Sequence, residues 1–160
     1  MAEAPILICF DGTEGARNAI TAAASLLAGR KAVVLDVAPI VLVAESYAAP
    51  ASEVGELDHL GFEAALARAE VGAELAREAG FAAEARADVD SPTWEGVLEV
   101  AHDVDAAVIV LGSRGLNGVH ELLEGSVSHE VAQHAGRPVL VVPPRREVAG
   151  TARDADRRSV

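Results

Sequence analysis

Apolar residues along this chain fall into short dense runs separated by longer stretches of helical spacing. The short runs occupy residues 6–10, 32–37, 82–89, 106–111 and 139–142. Four of them are nearly continuous, which is how strands buried on both faces of a parallel sheet read. The third alternates Ala83, Ala85, Ala87 and Val89 against Glu84, Arg86 and Asp88, and so predicts an edge strand. Between the runs, residues 14–29 form an Ala-rich stretch closed by Gly29. Leu57, Leu60, Ala64, Ala67, Val71 and Leu75 step by three or four, predicting one apolar stripe on a helix that ends near Gly80. A third helix is predicted to start at Ser91-Pro92, with Ser91 as cap and Pro92 in the first helical position, and to carry Trp94, Val97, Leu98 and Ala101. A fourth begins at Gly125-Ser126 and carries Val127, Val131 and Ala135.

The alternation of strand and helix predicts an α/β fold, a single open doubly wound parallel sheet of five strands with helices on both faces. The expected strand order is 3-2-1-4-5. The first and fourth strands are then neighbours while their following helices leave to opposite faces, so a crevice opens at their carboxyl ends, where a ligand belongs. Residues 39–55 make an unusually long connection, readable either as a lid over the crevice or as an ordinary surface excursion. Residues 145–160 carry no periodic apolar pattern and are expected to form a disordered Arg-rich tail on a domain of residues 1–144. There is no internal repeat.

Composition narrows the picture. With 160 residues the chain can bury a core without disulfides or metals, and with 51% hydrophobic but only 3% aromatic residues that core is built from Ala, Val, Leu and Ile. The net charge is −12, and the basic residues concentrate after Pro144; residues 1–144 hold 8 bases against 22 acids. Binding of nucleic acid through a basic face is thereby disfavoured. If the body holds a polyanion, backbone N–H groups and helix dipoles must do most of the work. The single Cys9 permits no internal disulfide, and no apolar run approaches the roughly 20 residues that span a bilayer. A cytoplasmic, membrane-free protein is the expectation.

The chemistry-bearing segment follows the fourth apolar run. It reads Gly112-Ser113-Arg114-Gly115, then Leu116 through Glu124, then Gly125-Ser126-Val127-Ser128. Glycines stand where the chain must leave the strand and enter the helix with its backbone open to a ligand. Small and hydroxyl residues at the helix start leave N–H groups facing outward at the positive end of the dipole, an anion site in outline. The segment is no P-loop, since the only lysine is Lys31. Nor is it a dinucleotide fingerprint, because the first strand ends Phe10-Asp11-Gly12-Thr13 without a G-x-G-x-x-G. A mononucleotide site is the remaining reading.

The spacing Gly112-x2-Gly115-x9-Gly125-Ser126, followed by Arg137-Pro138-Val139-Leu140-Val141-Val142-Pro143, resembles the universal stress protein family, in its ATP-binding branch. The resemblance implies ATP as ligand, with Mg²⁺ or Mn²⁺ carried by the phosphates. Asp11 would bond the ribose or the adenine, next to Gly12 and Thr13, and Val37 would meet the adenine edge through its main chain. Gly112, Ser113, Arg114 and Gly115 would wrap the ribose and phosphates. Gly125, Ser126, Val127 and Ser128 would supply N–H and hydroxyl donors to the phosphates. The resemblance also implies a homodimer in which the last strands, Val139, Leu140, Val141 and Val142, pair across a two-fold axis. Thr13 stands where the family often has serine, and the 39–55 connection has no evident counterpart.

Plainer roles compete at several of these positions. Asp11 could cap the first helix, Ser126 and Ser128 would be wanted as caps with or without phosphate, and Arg114 could be a solvated charge. His120 and His129 flank the motif without a nameable nucleophile or orienting partner, so no catalytic residue is assigned. Cys9 and Trp94 read as core. The expected function is that of an ATP-binding stress-response regulator with at most slow hydrolysis, since no dedicated base, trans arginine or metal-binding carboxylate pair is evident. The alternatives are a dimeric scaffold that binds another ligand such as a cyclic nucleotide, and a nucleotidyl-transfer or ATP-hydrolysing enzyme.

Overall fold

Each continuous apolar run becomes a strand of one sheet. In a computed structural model, described for residues 3–40, 51–90, 92–113 and 127–145 and for the backbone alone at 51–54, the strands are β1 (Ile6–Cys9), β2 (Lys31–Pro39), β3 (Ala82–Asp90), β4 (Val108–Gly112) and β5 (Val139–Val142). All neighbouring pairs are parallel and the order is β3-β2-β1-β4-β5, the expected doubly wound arrangement. Register is set at the centre, where Ile6 lies opposite Ala32 on one side and Val108 on the other. The alternating run does form an edge strand, β3.

The helices are α1 (Glu14–Leu27), α2 (Ala51–Glu78), α3 (Thr93–Asp103) and α4 (Val127–His134). Ile6, Ile8, Val34 and Val110 point to one face and meet Ala16, Ala19, Ile20 and Ala23 of α1 with Ala73 and Ala76 of α2. Leu7, Val33, Leu35, Ile109 and Leu111 point to the other and meet Val97, Val100 and Ala101 of α3 with Val131 of α4. Each fully buried Val, Leu or Ile contributes about 1.5–3 kcal/mol, and the two faces share that load across the sheet. Thus α1 and α4, which follow the two neighbouring strands β1 and β4, lie on opposite faces.

Several local expectations are corrected. Of the stripe Leu57, Leu60, Ala64, Ala67, Val71 and Leu75, Leu75 alone packs against the core: Leu60 is 58% and Val71 49% exposed, and Leu57, Ala64 and Ala67 face water too. The face against the sheet is made of small residues, Ala65, Ala69, Gly72, Ala73 and Ala76. The reason is distance. A Cβ on Gly72 would lie 2.6 Å from Phe10 Cγ and 2.8 Å from Val34 Cγ1, so α2 rides too close to the strands for leucine. The long connection is also shorter than expected, because β2 persists to Pro39 and the chain is already helical at Ala51. Whether it forms a lid concerns residues 41–50, outside the described residues, as are Ser91 and the tail from 146 onward. Pro92 is the N-cap of α3 rather than its first helical residue, with extended backbone at φ −76°, ψ 150°.

Candidate functional site

The end of β1 is held by its neighbour before it turns. Phe10 N–H donates to Leu35 O at 2.8 Å, and Gly12 then takes a left-handed φ of +83°, which favours glycine. Asp11 Oδ1 accepts from Thr13 N–H at 3.0 Å and from the Thr13 hydroxyl at 2.6 Å, while Thr13 Oγ1 accepts from Ala16 N–H at 3.2 Å. Thr13 is therefore the cap of α1, and Asp11 braces the cap from two residues upstream.

The other walls come from β2, β4 and the two opposite helices. Gly112 ends β4 where α1 begins: a Cβ there would sit 2.9 Å from the backbone C and O of Gly15. Glycine is required at this point by the approach of α1. Beyond it, Ser113 N–H donates to Val142 O at 2.9 Å and keeps the strand exit aligned with β5. Gly96 plays a similar part on α3, since a Cβ would lie 2.8 Å from Asp90 Cβ and 3.0 Å from Val37 Cγ1. That closeness lets α3 wall the end of β2.

Together these elements enclose an open cavity of about 360 Å³ at the carboxyl ends of β1, β2 and β4. Asp11, Thr13, Val37, Gly112, Ser113, Val127 and Ser128 all line it, drawn from four separate places in the sequence. Gly12 shapes the turn without lining the cavity, and Arg114, Gly115, Gly125 and Ser126 lie outside the described residues. Asp36, which the family resemblance pairs with Val37 at the end of the second strand without a role of its own, also lines it, as do Thr93 and Val97, which sequence reasoning missed. Asp36 carried a signal, a lone carboxylate in a continuous apolar run, where burial of a charge needs a partner. Thr93 and Val97 carried none, because their role depends on how α3 packs.

Asp36 is 5% exposed, and Arg68 Nε of α2 donates to its Oδ2 at 2.5 Å. Burial pushes the Asp36 carboxyl above its usual range, opposed by the hydrogen bond and charge of Arg68, with Asp11 adding to the rise. The Cys9 thiol in the cavity wall is pushed up to about 12, chiefly by burial and further by Asp11 and Asp36. It stays protonated and is no nucleophile. Trp94 packs against the α3/α4 core and stacks on His134 with ring centroids 5.0 Å apart. His129 contacts Gln133 at 2.9 Å on the exposed side of α4, and His120 lies outside the described residues.

This architecture has counterparts among known proteins. The family model described as the universal stress protein family matches residues 4–143. Universal stress protein YxiE of Bacillus subtilis is 32% identical over 150 residues, covering 86% of this chain and 97% of that protein. A structure of a hypothetical protein, MJ0577, superposes with a TM-score of 0.74 at 24% identity, covering 92% of this chain and 100% of the other. A universal stress protein in complex with cAMP gives a TM-score of 0.64 at 25% identity, over 89% of this chain and 98% of its own. Relatives of the same fold have been solved with dAMP, from Archaeoglobus fulgidus, and with AMP, from Arabidopsis thaliana. The chain belongs to the universal stress protein family.

Proposed function

We propose that this chain is a regulatory protein that binds an adenine nucleotide in the crevice at the ends of β1, β2 and β4, with ATP as ligand and at most slow hydrolysis. The observation that carries this reading is the convergence of Asp11, Val37, Gly112, Ser113, Val127 and Ser128 on one cavity. Its volume of about 360 Å³ falls within the roughly 300–1,000 Å³ of small-molecule sites. Its chemistry suits a base and sugar at one end and phosphates at the other. Val37, Leu35 and Val97 offer an apolar slot beside the Val37 main chain, and Asp11 offers a carboxylate to ribose or adenine. Ser113 and the start of α4 at Val127 and Ser128 offer hydroxyls and N–H groups at a positive dipole end, to which, in this reading, Arg114, Gly115, Gly125 and Ser126 of the sequence motif would add theirs. With a body this acidic, the Mg²⁺ or Mn²⁺ would enter on the phosphates.

A cyclic nucleotide is the second reading, supported by the relative solved in complex with cAMP. Homodimerisation through β5 is part of the same proposal, since β5 is the sheet's other edge and Val141 on it is 38% exposed. A cytoplasmic location accords with the absence, among the described residues, of any helix long and apolar enough to cross a membrane.

Calorimetric titration with ATP, ADP, AMP and cAMP, each with Mg²⁺, tests the proposal beside a Gly115→Val variant that crowds the motif. Saturable binding by the wild type, lost in a variant that still melts cooperatively, supports it. A wild type that binds none of the four nucleotides refutes it and leaves the dimeric scaffold.

A further inference from the structure

Arg68 lies where α2 crosses the ends of two strands. Its Nε donates to Asp36 Oδ2 at 2.5 Å, and its side-chain stem covers the β1–α1 turn, where a Cβ on Gly12 would lie 3.5 Å from Arg68 Cδ. The Arg68 side chain is 43% exposed and that of Asp36 6%, so the pair runs from solvent into the wall of the crevice. Asp36 directly precedes Val37 on β2, and Gly12 directly follows Asp11 after β1. One side chain thus touches both segments that carry the base-side residues of the crevice.

The charges around Asp36 make that contact consequential. From the β1–α1 turn Asp11 opposes its ionisation, and on β1 the Cys9 thiol is close enough to feel it. On β3 the register partner is the neutral Ala87, while Arg86 pairs instead with Asp103 at 2.8 Å. Among the described residues Arg68 is the cation paired with Asp36. A carboxylate this deeply buried is tolerable only while paired, and an unpaired one moves toward water or takes up a proton.

We propose that Arg68 is a positioning residue for the crevice: by pairing with Asp36 and covering Gly12 it holds the ends of β1 and β2 at the spacing a bound nucleotide requires. This rests on the crevice being the nucleotide site. The contribution comes from α2, of which no described residue, Arg68 included, lines the cavity itself.

The test measures adenine-nucleotide affinity by calorimetry from about pH 8 to about pH 5.5 for wild type, Arg68→Lys, Arg68→Met and the double variant Arg68→Met/Asp36→Asn. Dividing each variant's Kd by the wild-type Kd at the same pH cancels titration of the ligand. For Arg68→Met the ratio should be roughly tenfold or more at the upper end, the scale of a lost supporting contact. It should fall toward one as the pH drops and Asp36 takes up a proton. Arg68→Lys should recover part of the loss, and in the double variant the ratio should no longer vary with pH. An Arg68→Met protein that binds like wild type throughout, or whose deficit is the same at every pH and in the double variant, overturns the inference while the crevice assignment stands. A wild type that binds no nucleotide overturns both. Circular dichroism and melting curves confirm that each variant is folded before its affinity is read.

Discussion

Glycine in this chain works mainly by what it lets approach. Gly112 admits the backbone of Gly15, and Gly72 admits the Phe10 ring and Val34. Gly112→Ala and Gly72→Ala should each cost about 1–3 kcal/mol, the range for overpacking a filled interior, measured by denaturant unfolding. Gly55→Ala, where a Cβ meets nothing within 4 Å, should be neutral or stabilising, and a Gly112→Ala protein as stable as wild type would contradict the packing described here. Gly112 was legible in the sequence as a necessary glycine, yet the reason legible there was room for a ligand. The structural reason is the start of α1, which no local pattern encodes. Asp36 makes a second prediction. Its carboxyl sits above the usual 3.8 in the fold, so the unfolded chain releases this proton first. The stability that the neutral carboxyl contributes is full below the unfolded value and is lost as pH rises through the folded value. Asp36→Asn, which cannot titrate, should therefore lose less stability than wild type as the pH rises above the unfolded carboxyl's usual 3.8. Parallel stability profiles for the two proteins would contradict that environment for Asp36.

The sheet was legible element by element because strands in a covered parallel sheet read as nearly continuous apolar runs, as β1, β4, β5 and, apart from Lys31 and Asp36, β2 do. The edge position of β3 was legible for the complementary reason, in its alternation of Ala83, Ala85 and Ala87 with charged residues. Helix α2 was misread because the strongest apolar periodicity lies on its outer face, while the inner face is built from alanine and glycine. Hydrophobic periodicity ranks residues by apolar size, whereas close packing against a sheet selects small ones. The consequence is measurable. Leu60→Gln and Val71→Gln should change stability by no more than about 0.5 kcal/mol, as solvent-facing substitutions do. Ala69→Leu and Ala73→Leu, on the buried face, should cost about 1–3 kcal/mol or more. A marked loss from Leu60→Gln with tolerance of Ala73→Leu would reverse the orientation assigned to α2.

For the molecule as a whole, the doubly wound order brings the β1–α1 turn, the end of β2, the exit of β4 and the start of α4 to one cavity, though they are up to about a hundred residues apart in the chain. The glycine-rich segment and Asp11 could be read from the sequence as partners in one site because that topology follows from the order of elements. The α3 wall of Thr93 and Val97 could not, since it depends on Gly96 allowing the helix to press on Val37. At the far edge, Val141→Glu on β5 should convert the proposed dimer into a monomer in sedimentation experiments, with nucleotide affinity largely retained because β5 does not line the cavity. The most direct test of the central claim is amide chemical-shift mapping of the isotope-labelled protein titrated with ATP and Mg²⁺, then with cAMP. The account predicts that the largest changes fall on Asp11, Thr13, Val37, Gly112, Ser113, Val127 and Ser128. Changes confined to the α1/α2 face away from these residues, or no saturable change with either nucleotide, would contradict it.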